Sequence, residues 1–205
     1  MKPILFNTEM VQAISEGRKT VTRRLVKPQH LQVLDSPYHN EHPKVPDEVL
    51  IEKLCEPPYH PGDILYVRET WHKDVGRYMY RADYSDTEKF CRNGKEVCIK
   101  WSPSIHMPKE AARLFLRVTD VWVERLRDIG DCTKEGVPRG GHATAHMNDY
   151  DERCYFRALW NSTIKPADRD RYGWDANPWV WVIEFERISR KAALSVEGGT
   201  NAESV

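Results

Sequence analysis

The sequence predicts an α+β fold: a small mixed β-barrel with peripheral helices and long loop insertions. Three observations lead there. Alternating, β-branched segments outnumber helical ones. The helical segments interrupt the strands without the strand–helix–strand rhythm of a parallel sheet. Long connections carry proline, glycine and polar residues in place of an apolar stripe.

The elements follow in order. Met10, Val11, Ala13 and Ile14 recur at helical spacing, Asn7 or Thr8 can cap the start, and Gly17 suits the left-handed position that ends a helix. Thr20 to Val26 alternates and is β-branched, so it reads as a strand. One face carries Thr20, Thr22 and Arg24, and the other carries Val21, Arg23 and Leu25. Lys19 stands at the turn into it. An ammonium, a hydroxyl and a guanidinium can converge there, or the segment can be a solvated basic face on an edge strand. Val26 to Pro61 is rich in proline, histidine and acidic residues, and reads mainly as loop. Ile64 to Val67 is a buried strand with Glu69-Thr70-Trp71 at its end. Tyr78 to Ala82 is a short strand. Cys91 to Trp101 is a hairpin around an Asn93-Gly94 turn, whose symmetry would bring Cys91 and Cys98 across from each other. Leu114 to Leu126 is the longest strand pattern. Asp128 to Gly136 reads as one or two helical turns, Pro138 to Tyr150 as a glycine-rich loop, and Glu152 to Ile164 as a helix. Trp179 to Phe185 closes the sheet.

At 205 residues the chain suits one domain, placed at 1–190, with 191–205 expected to be a disordered tail. No apolar run approaches the roughly 20 residues of a membrane span. Residues 1–6 turn polar too soon for a secretory signal, so a cytoplasmic protein with no membrane partner is expected. Thirty-one basic residues balance 31 acidic ones. A protein that tracks a long phosphate backbone usually carries a basic excess, so the balance favours a small ligand or a short nucleic-acid segment. The five cysteines read as reduced thiols. No C-x-x-C knuckle accompanies Cys55, Cys91, Cys98 or Cys132, and neither a metal nor a cofactor is expected. His142 and His146 are spaced for one helical face, yet they sit among glycines and read as loop.

Gly17-x-Lys19-x-x-Thr22-x-Arg24 resembles the G-x-K-x-x-T-x-R signature of the ASCH domain family, a branch of the PUA-like β-barrel folds. Four further landmarks resemble that family in order and spacing: Pro61 to Arg68, Arg117 to Val121, Lys134-Glu135-Gly136, and Val182 to Glu186. Together they span about residues 4 to 188. The long insertions, with Trp71, Trp101 and Asn177-Pro178-Trp179, resemble the larger phage- and prophage-encoded branch. The resemblance implies a PUA-like barrel with a cleft between the motif strand and a short acidic helix. Bacterial ASCH proteins include amidohydrolases that deacetylate N4-acetylcytidine. Carried over by motif position, the catalytic set is Lys19, Thr22 and Glu135. Arg23, Arg24, Glu69 and Trp71 are the candidate substrate-binding residues, and the expected partner is a modified nucleoside or a short RNA segment. The extra segments at 27–60, 72–108 and 138–150 depart from the small amidohydrolases, which keeps a binding module without turnover, or a ribonuclease, as alternatives.

The chemistry of such a set is coherent. A threonine hydroxyl needs a base beside it. A lysine serves once desolvation or a nearby cation lowers its pKa from about 10.4. Among seven tryptophans, Trp122, Trp160 and Trp181 fall in strongly patterned elements and read as core. Trp71 and Trp101 lie at strand ends, where an indole can stack on a base. Glu69 can accept from an exocyclic amine or pair with an arginine of the sheet. Asn177 is expected to set the turn into the last strand, or to offer its amide to a base edge.

Overall fold

The computed structural model describes residues 1–41, 44–85, 87–92, 95–137 and 149–199. The main elements are β1 (Lys2–Leu5), α1 (Thr8–Ser15), β2 (Val21–Leu25), α2 (Pro28–Leu31), α3 (Pro37–Glu41) and α4 (Asp47–Leu54). Then follow β3 (Ile64–Arg68), β4 (Trp71–Asp74), β5 (Arg77–Tyr80), β6 (Phe90–Arg92), β7 (Lys95–Val97) and β8 (Phe115–Arg125). The chain continues through α5 (Asp149–Thr163), α6 (Arg169–Tyr172), β9 (Trp179–Ile188) and α7 (Arg190–Gly199). The architecture is α+β with a mixed sheet. None of its helices, among the described residues, is long and apolar enough to cross a membrane.

The chain divides into two compact units. One comprises Met1–Gly17, Asp63–Arg117 and Glu186–Val205, the other Arg18–Gly62 and Val118–Phe185. In the first, β1 runs parallel to β3 with Ile4 opposite Val67. The start of β8 runs antiparallel to β3 with Leu65 opposite Leu116. Ile64, Met107, Ala111, Ala112, Phe115 and Ala193 form a core against these strands. Helix α1 begins as the sequence reads: the Asn7 side chain accepts from the Met10 amide at 2.9 Å, and Gly17 takes φ of +74° beyond its end. β4 and β5 form a hairpin with Trp71 opposite Tyr80. In the β6–β7 hairpin Cys91 faces Glu96, and Cys98 stands beyond the paired strand, so the register separates the two thiols expected to face each other. The Asn93-Gly94 turn lies outside the described residues, as does the His142/His146 pair.

Residues 190–199 form helix α7 where a featureless tail was expected, and Ala193 is completely buried. The large apolar residues of the stretch, Leu194 and Val196, stay exposed, but Ser189 supplies a cap: its hydroxyl accepts from the Ala192 amide at 3.1 Å. A small alanine then lets the helix approach its neighbours closely. Residues 200–205 lie outside the described residues.

In the second unit β2 runs antiparallel to β9, with Thr22 opposite Ile183 and Arg24 opposite Trp181. The strand alternates as its sequence demands. Val21, Val180 and Val182 face a core with Phe156, Trp160 and Trp174. Val26, Trp179 and Trp181 face another with Ile51, Cys55 and Val123. Trp160 and Trp181 are buried, and Trp122 packs at the edge of the first core. The 26–61 insertion is helical where loop was expected. α4 starts behind Pro46 with Asp47 and Glu48 in its first turn, an arrangement the helix dipole favours, and it buries only Leu50 and Ile51. Two buried residues in eight are too few to show as a stripe.

The stretch from Asp128 to Gly136 is likewise not the helix expected. A 3₁₀ turn ends at Asp128. Two overlapping turns then close through Glu135 N–H to the Cys132 carbonyl at 3.0 Å and Gly136 N–H to the Thr133 carbonyl at 3.3 Å. Asp131 takes the amide and hydroxyl of Thr133 at 2.8 and 2.5 Å, which competes with helix formation. Gly136 exits at φ +80°, a conformation that costs a larger residue.

Candidate functional site

Two segments far apart in sequence meet at the start of β2. The amides of Thr20 and Val21 both donate to the Lys134 carbonyl, at 2.9 and 3.1 Å. Arg18 donates to the Gly136 carbonyl at 3.0 Å. Lys19 and Glu135 form an isolated antiparallel bridge. Backbone bonds therefore fix the position of both side chains.

Lys19 is 4% exposed and Glu135 3%. The Lys19 ammonium donates to Glu135 Oε2 at 2.9 Å, to the Glu135 carbonyl at 3.0 Å and to the Val21 carbonyl at 2.7 Å. Arg23 pairs with the other oxygen of the Glu135 carboxylate. The same guanidinium reaches Glu124 Oε1 through Nη2 at 2.6 Å and through Nε at 3.0 Å. Glu124 also accepts from the Trp122 indole at 3.1 Å, and the Phe156 ring lies 5.9 Å beneath Arg23. Arg23 is thus spent on two carboxylates and on packing, and it orients Glu135.

The opposite face of β2 from Arg23 carries Thr22, which is 2% exposed, and half-buried Arg24. Arg24 Nη1 donates to Thr22 Oγ1 at 2.8 Å and to the Arg23 carbonyl at 3.0 Å. A cation on the oxygen favours the alkoxide and fixes the hydroxyl's orientation. Burial lowers the Arg24 guanidinium below its ordinary value, with Tyr59 and Glu135 acting in opposition.

The electrostatics of the cluster set the lysine apart. The Glu135 carboxylate serves two cations, Lys19 and Arg23, and Arg23 also holds Glu124. Arginine does not give up its proton in proteins. Of these cations lysine is the one that can release a proton, and burial in a medium of low dielectric favours that release. Burial accordingly lowers the Lys19 pKa. Glu135 opposes the shift, and Arg24 and Arg23 add to it.

Glu69 and Trp71 belong to the first unit, whereas Lys19, Thr22, Arg23, Arg24 and Glu135 belong to the second. Glu69 is 1% exposed, and its two oxygens accept from Arg113 Nε and Nη2 at 2.9 Å each. Arg113 also grips Asp83 at 2.8 Å and stacks 4.0 Å over the Tyr80 ring. Burial raises the Glu69 pKa, and the bonds from Arg113 pull it back. Glu69 therefore has the arginine pairing that was the alternative to reading an exocyclic amine. The Trp71 ring packs on Tyr78 and against the Ile64 core, and its backbone pairs with Ser102. Trp101 groups with Tyr84 and Phe90 beneath Arg81. Asn177 sets the turn: it holds φ at +48°, and its Oδ1 accepts from the Arg127 amide at 2.7 Å.

Glu124 and Trp122 are the members sequence reading missed. They share a face of β8 in a stretch where the apolar alternation blurs, and an acid within such a strand was the available signal. Cys132 was also missed as a neighbour of the site. Burial pushes its thiol up to about 11. The folded protein keeps that proton while the unfolded chain loses it near 9, so stability should decline between those pH values, by up to about 2–3 kcal/mol. Cys132→Ala should flatten the decline. A thiol reagent at neutral pH should label exposed Cys91, Cys98 and Cys154 in the folded protein, and buried Cys55 and Cys132 only after denaturation, as mass spectrometry would count.

Among the described residues no group of three metal-ligating side chains converges. No family model, curated protein or solved structure matches this chain.

Proposed function

We propose that this chain is an ASCH-type protein of PUA-like, barrel architecture that acts in the cytoplasm on a nucleoside or RNA, and that it hydrolyses the acyl–N4 bond of acylated cytidine. The observation that carries the reading is the buried Lys19–Glu135–Arg23 network, in which a lysine and an arginine share one carboxylate. The α+β mixed sheet and the alternation of β2 support it.

The chemistry follows from the side chains. In its deprotonated form Lys19 takes a proton from the Thr22 hydroxyl, or from a water held by it, as the oxygen attacks the acyl carbon. Arg24 stabilises the negative charge that develops on the acyl oxygen. The C–N bond then breaks, and the proton that Lys19 took passes through Glu135 to the departing exocyclic amine. Hydrolysis of the acyl group completes the reaction, giving cytidine and a carboxylate. Arg23 serves as a positioning residue, because it holds the Glu135 oxygen that Lys19 leaves.

Mass-spectrometric assay of N4-acetylcytidine, free and within RNA, tests the reading. Lys19→Ala should lower kcat by about 10²–10⁴-fold, the usual worth of a general base, and Thr22→Ala should be comparably impaired. Wild-type turnover in Lys19→Ala would remove lysine from the mechanism. A second reading, binding without turnover, has its own observation: three oxygens already accept from the Lys19 ammonium. It predicts salt-sensitive RNA binding with no hydrolysis of either substrate. Cleavage of labelled RNA would instead point to a ribonuclease.

A further inference from the structure

A second feature of the Arg18–Gly62/Val118–Phe185 unit takes no part in the chemistry above. A cleft of about 680 Å³ opens between the turn after β8, helix α5 and the loop before β9. Arg127, Arg153 and Arg157 line it with Asp128, Trp174 and Asn177. Arg153 and Arg157 are one helical turn apart on α5, so both project toward the same region. All three arginines are exposed.

Hydrogen bonds tie the walls of the cleft together. Arg153 donates to the Ile129 carbonyl at 2.6 Å and the Arg127 carbonyl at 3.2 Å. Arg125 donates to the Asn177 carbonyl at 3.2 Å and stacks 4.2 Å over Trp179. The left-handed Asn177 holds the Arg127 amide. Arg157 pairs with Asp175 at 2.8 Å. The Arg127 guanidinium makes no hydrogen bond or ion pair among the described residues. The lining thus carries three guanidiniums against the Asp128 carboxylate, with Asp175 beside it, in a chain whose net charge is zero. Guanidinium forks match phosphate oxygens in geometry as well as charge. A cleft of this volume is in the range that holds a nucleotide-sized group.

We propose that this cleft holds the phosphodiester backbone of a single-stranded RNA, with Arg127, Arg153 and Arg157 on its phosphates. The inference rests on the nucleoside or RNA reading above and sharpens it: the ligand is a strand, not a free nucleoside. The cleft lies beside the proposed site through α5, since Phe156 of that helix lies under Arg23 while Arg153 and Arg157 line the cleft.

The test uses the full chain and a labelled single-stranded RNA of about 12 nucleotides. The variant carrying Arg127→Gln, Arg153→Gln and Arg157→Gln should bind at least about tenfold more weakly. Its plot of log affinity against log salt should be shallower by about 2, from roughly 0.7 per lost phosphate contact. Because Arg153 also bonds backbone, Arg127→Glu alone and a triple lysine variant serve as controls. Arg127→Glu should weaken binding without changing the melting curve, and the lysine variant should keep the salt slope. Unchanged affinity and slope in the triple glutamine variant would overturn the proposal, and so would wild-type protein that binds no RNA. Cytidine monophosphate that competes as well as the strand would also overturn it, assigning the cleft to a free nucleotide. Hydrolysis of free N4-acetylcytidine separates this outcome from the first reading. Wild-type turnover in the triple variant with weakened RNA binding supports both. No turnover in any protein, with cleft-dependent RNA binding intact, defeats only the hydrolase.

Discussion

Glu135→Ala should cost about 3–5 kcal/mol of stability, because it leaves Lys19 and one end of Arg23 enclosed without their shared carboxylate. Lys19→Met should cost far less, within about 1–2 kcal/mol, since Arg23 continues to neutralise Glu135 and methionine fills a similar volume. Urea unfolding of the two variants reads this asymmetry, and equal losses would refute it. Protonation adds an independent check. The folded Lys19 has a lowered pKa, whereas the unfolded chain binds that proton up to about 10.5. Below that value the unfolded state holds more protons, so the site's contribution to stability rises with pH. The stability of wild type relative to Lys19→Met should therefore improve from pH 7 to pH 10. A constant difference would mean that the folded lysine keeps its proton throughout. That result would also remove the base from the proposed reaction.

Arg113→Met should be comparably severe, about 3–5 kcal/mol, because it strands Glu69 at 1% exposure and removes the partner of Asp83. The loss has a pH signature of the opposite sign. Burial already raises the Glu69 pKa, and removing Arg113 takes away the interactions that lower it. The folded variant then holds a proton that the unfolded chain releases near 4.5, so the variant regains stability relative to wild type as pH falls from 7 toward 5. Adding Glu69→Leu should recover most of the loss at neutral pH, since the uncompensated charge is gone. Thermal melts of the single and double variants decide it. A double variant no better than Arg113→Met would show that Tyr80 stacking and the Asp83 pair carry the stability.

The sequence made some of this legible and hid the rest for physical reasons. α1 could be read because its cap, apolar spacing and terminal glycine agree. β2 could be read because strict alternation sends Val21 and Leu25 one way and Thr22 and Arg24 the other. β1 carries one buried residue in four, and α4 two in eight, so neither leaves a pattern. The turns around Glu135 read as a helix in the sequence because residue spacing does not reveal that Asp131 and Thr133 spend their hydrogen bonds locally. Lys19 and Thr22 are visible in one short motif. Glu135 lies 116 residues from Lys19, and only a family resemblance suggested joining them. Glu124 fell outside both signals. Glu69 stands out at the end of its strand pattern, but a buried acid looks the same in sequence whether it awaits a ligand or an arginine.

The division of the chain has a bearing on biosynthesis. Each unit is assembled from separated stretches, three in one and two in the other. No single proteolytic cut or truncation yields either half intact. A ribosome must deliver residues well beyond 117 before α1 and β1 share a finished neighbourhood with the closing helix. Slow folding is the expected corollary of such long-range closure.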